Sequence, residues 1–379
     1  MRISLLVLIL SSYLLSQSLI TKEWLNTKPR SYYKDFYLWR YLNQDITPSQ
    51  AIWALGEARN VNTKLFRRYA KKLKHDETSR IVTCQKMSAS KLIKEDNTCI
   101  KLGLTPFRAT KLSNQQRTDV INTIKDEYPK LTNILTIINS PLKFHELINS
   151  ESETFYGTFL EVGSKFRANN FNHHLPKKTI QNLKKDTKNF KRLIRKIVLE
   201  PKLTKLQQSL LLLDGVDLDH KSTFYLAINA IKHNQYSIAQ GFLEISSKNA
   251  YYKFDKDKVA FWQYQLFNDK ETLKDLSQSW DINIYSLFAK EQLKKEITNV
   301  ILDFPTNSNK SNYQLSNPFA WIGILSESKK IDASLMEKYT QLFNTKETSG
   351  HLAFVQERFY RYKKSFYPSP YDKYITQYD

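Results

Sequence analysis

A six-residue acidic stretch, Asp214-Gly215-Val216-Asp217-Leu218-Asp219, is the nearest this chain comes to a calcium loop. Its glycine comes too early, and no glutamate stands where an EF-hand needs its bidentate ligand. The acids of an ordinary helix-to-helix loop account for it better. His173-His174, beside Pro176, could bind a metal. Two adjacent histidines cannot both point one way on regular structure, however, and loop histidines are usually solvated. His145, His220, His233 and His351 are scattered, with no His-Glu-x-x-His pair and no triad-like grouping. Glu151-Ser152 and Glu327-Ser328 each bring a carboxyl beside a hydroxyl, in polar surroundings. Cys84 and Cys99 are the two cysteines. These patterns assign no catalytic, cofactor-binding or metal-ligating residue.

The elements that must position these residues read as helices. Glycine is scarce, with 8 in the chain, which disfavours dinucleotide folds, phosphate loops and turn-rich sandwiches. Asp35 to Leu42 has apolar residues at helical spacing. Thr47-Pro48-Ser49-Gln50 carries an N-cap, a proline at the first helical position and the glutamine of a capping box; Ala51, Leu55 and Ala58 continue that face. Phe155 to Phe166 reads as one helix. So does Thr179 to Leu199, with Ile180, Leu183, Phe190, Ile194 and Ile197 opposite a lysine face. The clearest unit is a helical hairpin from Phe224 to Ile245. Phe224, Ala227, Ile228 and Ile231 line its first helix, His233-Asn234-Gln235 its turn, and Tyr236, Ala239, Phe242 and Leu243 its second helix. It is similar to a tetratricopeptide-type hairpin, but no strict period is kept. No run of alternating strand residues stands out, and helix and loop lengths predict about 20 helices. The polar stretch Asp303 to Asn317 marks a boundary. Pro318 to Leu325, Ala333 to Phe343 and His351 to Tyr362 then form a compact helical group, the last with Leu352, Val355, Phe359 and Tyr362 as its buried stripe.

Lys and Arg number 58 against 37 Asp and Glu, a net charge of +21. Such a balance fits an anionic partner: nucleic acid, a membrane surface or the cell wall. It also fits the Lys-, Asn- and Ile-rich composition of proteins from AT-rich genomes, because the charge is spread along the chain rather than blocked. Met1-Arg2, the apolar run Ile3 to Leu15 and Ser16-Gln17-Ser18 have the form of a signal peptide cleaved after Ser18. An uncleaved N-terminal anchor is the alternative. No later stretch is long and apolar enough to span a bilayer. In an oxidising compartment Cys84 and Cys99 read as one disulfide. Its loop of about 16 residues stabilises by roughly 3 kcal/mol in the chain-entropy model. A zinc site would lack ligands. Export also argues against a nucleic-acid partner.

Four blocks together resemble the soluble lytic murein transglycosylases of the bacterial periplasm, in the epsilon-proteobacterial form. They are Lys28-Pro29-Arg30-Ser31 with Lys34 to Leu42; Lys64 to Lys72 with the Cys84/Cys99 pair; Phe261 to Tyr264 with Tyr285 to Ala289; and Phe366-Tyr367-Pro368-Ser369-Pro370-Tyr371. The resemblance implies an all-α chain: a ring-like α-superhelix of helical hairpins, then a small helical linker domain, then a lysozyme-like catalytic domain. It implies cleavage between N-acetylmuramic acid and N-acetylglucosamine with formation of a 1,6-anhydro end. A single catalytic Glu acts there as acid and then base, standing in a Glu-Ser pair after the Tyr-Pro-x-Pro-Tyr corner, with Gly-Leu-Met-Gln downstream.

On that pattern, residues 1–18 are the signal peptide, 19–305 the superhelix, 306–365 the linker domain and 366–379 the start of a catalytic domain. Phe366, Tyr367, Pro368, Pro370 and Tyr371 mark the junction, with the aromatic side chains expected to be exposed or mobile. Gly-Leu-Met-Gln is absent, and the sequence given stops before the catalytic helix would begin. Glu151 and Glu327 fall in the superhelical and linker regions, so neither inherits the catalytic role, and no lytic activity is expected from this chain alone. The implied partners are peptidoglycan glycan strands, with cell-wall synthesis or lysis proteins beside them; no cofactor is implied. A different reading is a periplasmic helical-repeat scaffold for protein partners.

Overall fold

The computed structural model describes residues 19–73, 76–297 and 311–363. The expected signal peptide and the junction residues Phe366, Tyr367, Pro368, Pro370 and Tyr371 lie outside them. The described residues form 24 α-helices with no strand, so the fold is all-α. They divide into two compact units: residues 84–297, and residues 19–83 grouped with 311–363. The expected bounds kept residues 19–305 together; here residues 19–83 group with 311–363 instead.

In the unit of residues 84–297, consecutive helices pack pairwise, as in a solenoid. The tightest pair is the predicted hairpin, seen as His220–Lys232 and Tyr236–Asn249. Ala227, Ala230 and Ala239 are fully buried and let its backbones approach. Asn234 takes the left-handed conformation its turn requires, with φ 57°. The inward face sits slightly off the expected stripe. Thr223, Leu226, Ala227 and Ala230 are buried, while Phe224, Ile228 and Ile231 are half-buried. Buried Asn229 pulls the register, its amide donating to Gln207 O at 2.8 Å. Lys253–Phe267, Lys270–Ser277 and Ile284–Gln292 extend the array. One hydrophobic core runs from Cys84 to Val259.

Two expected helices are each broken in two. Phe155 to Phe166 becomes Ser152–Phe159 and Ser164–Asn170, with Gly163 as the second helix's N-cap. Thr179 to Leu199 becomes Lys177–Lys184 and Thr187–Leu199, because the Asp186 carboxylate accepts from Asn189 N at 3.1 Å and caps a new helix.

A repeated device fixes two of the helix junctions. Arg117 and Arg167 each sit four residues after an N-cap, Ser113 and Gly163. Each guanidinium reaches back to carbonyls five and eight residues earlier: Leu112 and Ala109 for Arg117, Val162 and Phe159 for Arg167. Arg167 also holds Glu200 with two parallel bonds of 2.9 and 2.8 Å.

The other unit buries charge beside a small apolar core that includes Leu25, Leu38, Leu42, Ala54 and Leu65. In the Tyr32–Tyr41 helix, Lys34 donates to Glu57 at 2.6 Å, and Asp35 accepts from Arg59 N at 2.8 Å and Asn60 N at 3.2 Å. Arg30 donates to Gly56 O at 2.8 Å. The expected capping box stands at the start of Pro48–Gly56, with Thr47 N donating to Gln50 Oε1 at 2.8 Å. The three helices of the expected linker group appear as Pro318–Glu327, Ala333–Leu342 and Ser349–Lys363. Phe319 joins them to the N-terminal helices, its ring 5.7 Å from Trp24 and 5.5 Å from Tyr37.

Candidate functional site

The Ser152–Phe159 helix begins directly after Ser150-Glu151, and Tyr156 ties its flank to the end of Lys177–Lys184, donating to Leu183 O at 2.6 Å. Burial, with Asp186 nearby, pushes the Tyr156 hydroxyl well above the usual tyrosine range, so it remains a donor. Between these segments opens a cavity of about 410 Å³. Ile148, Phe155 and Leu183 supply its apolar floor. Ser150, Glu151, Ser152, Thr179, Asn182, Lys185 and Asp186 supply its polar wall. Asn189 holds the Asp186 carboxyl below its ordinary pKa through its side-chain and main-chain amides, so Asp186 stays anionic. Lys185 donates to Asn182 Oδ1 at 3.3 Å. Glu151 is exposed at the rim. The walls therefore offer carboxylates, an amide, hydroxyls and one ammonium in a space of ligand size. That arrangement can hydrogen-bond hydroxyls and amides; no nucleophile–base pair is formed within it.

Of the residues singled out by sequence, the first Glu-Ser pair lies in this cavity. The second is knit into packing: Tyr339 donates to Glu327 at 2.6 Å, Lys338 lies 3.7 Å from the same oxygen, and the buried Ser328 hydroxyl accepts from Arg358 at 3.0 Å. The acids of Asp214 to Asp219 face lysines. Lys184 lies 3.4 Å from Asp214 and 3.9 Å from Asp217, and Lys191 lies 3.0 Å from Asp219, which also caps the His220–Lys232 helix through Ser222 N. The His173 ring lies tilted 4.9 Å from Phe144, and His174 is exposed. His145 meets Asn149, and His233 meets Gln207 at 3.3 Å. His220 Nε2 comes within 3.1 Å of Asp255 Oδ2, but off the line of a hydrogen bond. His351 packs among Tyr313, Trp321 and Phe343. Among the described residues no three metal-binding side chains converge. Cys84 and Cys99 are bonded to each other and buried, with Cα atoms 5.3 Å apart.

Sequence reasoning found one wall of the cavity and missed the other. The missed wall follows from the break at Asp186, and the signal for it was an aspartate three residues before an asparagine inside an apparently continuous helix. No protein-family model matches the chain, and no curated protein sequence matches it.

Proposed function

We propose that this protein works in the bacterial periplasm on the cell wall, as a peptidoglycan-associated helical protein corresponding to the non-catalytic part of a soluble lytic transglycosylase. Its role on this reading is to hold glycan strands rather than to cut them. The observation that carries the proposal is the buried Cys84–Cys99 bond, which suits an oxidising compartment and accompanies the leader-like residues 1–18. The succession of helical hairpins and the four resembling sequence blocks support it. So does the chemistry of the cavity, whose wall suits sugar hydroxyls and acetamido groups. The lysines and arginines of the neighbouring helices Lys177–Lys184 and Thr187–Leu199 suit the carboxylates of stem peptides.

The second reading, a scaffold for protein partners, is favoured by exposed apolar residues on the last helices of the 84–297 unit and the segments that join them. Tyr251, Tyr252, Phe254, Trp280 and Ile284 are all exposed there. Pelleting with purified sacculi separates the two readings. Retention that salt releases supports the wall reading, and no retention leaves the scaffold.

A further inference from the structure

The outward face of the Tyr32–Tyr41 helix, apart from half-buried Arg40, is aromatic where a surface helix is normally polar. Tyr32, Tyr33 and Phe36 are 65%, 44% and 53% exposed, and half-buried Trp39 and Tyr37 flank them on the same arc. Lys34, Asp35, Leu38 and Tyr41 occupy the opposite, buried arc. Ring contacts join four aromatics beside Tyr32 and Tyr33: Phe36 lies 6.0 Å from Trp39 and 5.5 Å from Tyr37, and Tyr37 lies 5.0 Å from Trp24.

Cations sit on these rings. Arg59 lies 4.2 Å above Tyr32, Arg68 3.6 Å above Trp39 and Lys28 5.0 Å above Trp24. Lys and Arg outnumber Asp and Glu eleven to four between residues 19 and 73. Two of the four acids, Asp35 and Glu57, are engaged inside the fold; Glu23 and Asp45 are the exposed ones.

From this juxtaposition we propose that the Tyr32–Tyr41 face, with its fringe of Lys28, Arg59 and Arg68, is a docking surface for an anionic phospholipid bilayer. Tyr and Trp with one apolar and one polar end, interleaved with Lys and Arg, have the chemistry of a membrane–water interface. The aromatic rings enter the headgroup layer while the cations meet lipid phosphates. A glycan strand fits this face less well, because a sugar needs an open ring face and several faces here already carry a guanidinium or ammonium. This surface is distinct from the cavity at Glu151, so it adds a second partner to the wall reading and does not depend on it.

The test is sedimentation of the chain from Leu19 onward, which keeps every described residue, with vesicles of phosphatidylcholine containing about 30 mol% phosphatidylglycerol. Binding is expected at low salt and should weaken by about tenfold or more as salt rises past physiological strength, since headgroup attraction is screened within a Debye length. Neutral phosphatidylcholine vesicles should bind far less. The variant Y32S/Y33S/F36S changes exposed side chains only; with its helical circular dichroism unchanged, it should lose about tenfold in partition. A second variant, K28Q/R59Q/R68Q, should bind more weakly at low salt and show a shallower salt dependence, since other lysines and arginines remain. Sacculus retention by the aromatic variant, measured in parallel, should be unchanged. No binding to anionic vesicles at low salt overturns the proposal, as does undiminished binding by both variants. Loss of sacculus binding without any vesicle binding by the parent would assign the face to glycan instead and overturn it too.

Discussion

Replacing Arg167 by methionine should be among the most damaging single changes in the 84–297 unit. The guanidinium is 2% exposed and closes four bonds: two to the Glu200 carboxylate, and two to the Val162 and Phe159 carbonyls. Methionine keeps most of the volume and removes all four. Breaking a fully buried ion pair from one side costs roughly 3–5 kcal/mol, and an unmet carbonyl roughly 1–3 kcal/mol. These costs do not simply add, because the Glu200 side chain is 22% exposed and can turn to water. A net loss of about 4 kcal/mol follows, and at about 2–4 °C per kcal/mol for a unit of this size the melting temperature falls by about 10 °C. Thermal unfolding followed by circular dichroism measures it. Adding Glu200→Leu removes the stranded carboxylate, so the double variant should be more stable than Arg167→Met alone by about 1–2 kcal/mol. A fall below about 2 °C for the single variant, or a double variant worse than the single, would refute the assignment of Arg167 as the anchor of this junction.

Two more outcomes follow from the same packing. Gly103→Ala should destabilise the disulfide region by about 1–3 kcal/mol, because a Cβ there would collide with Cys84 O and stand 2.8 Å from a Leu92 methyl; a melting temperature equal to the parent's would contradict it. Stability should also fall on acidification in two windows. Burial holds the His351 imidazole below its ordinary 6.5, and burial with neighbouring Lys232 does the same for His233. The Lys34 bond holds Glu57 below its ordinary 4.5. In each case the unfolded chain binds protons that the fold does not. The histidine contribution is therefore present above pH 6.5 and lost downward from there, and the Glu57 contribution is lost only below pH 4.5. Urea midpoints measured between neutral and acid pH check this; midpoints that stay level as the pH drops through the histidine window would refute it.

The sequence made some elements legible because their signals are local. Thr47, Pro48 and Gln50 state a helix start within four residues, and the 220–249 hairpin repeats its small and apolar residues at helical spacing around one turn. The Cys84–Cys99 pair followed from there being two cysteines. What escaped was the long-range use of charged side chains. Lys34 and Asp35 look like surface residues until Glu57 and the amides of Arg59 and Asn60 are brought to them from more than twenty residues away. Arg117 and Arg167 likewise read as solvated cations, yet their spacing behind Leu112-Ser113 and Val162-Gly163 is the same. The helix breaks at Gly163 and Asp186 were hidden because the apolar period runs on across them. Half of the cavity was hidden with the second break. The grouping of residues 19–83 with 311–363 rests on contacts such as Phe319 with Trp24 and Tyr37, which no local pattern announces.

Retention of the chain from Leu19 onward on purified peptidoglycan sacculi tests the central claim most directly. The account predicts that the protein pellets with sacculi at low ionic strength and is progressively released as salt screens its positive charge. It also predicts that Glu151→Ala with Asn182→Ala, at the cavity wall, weakens retention without lowering the melting temperature. Protein that stays in the supernatant at low salt while remaining folded would contradict the claim.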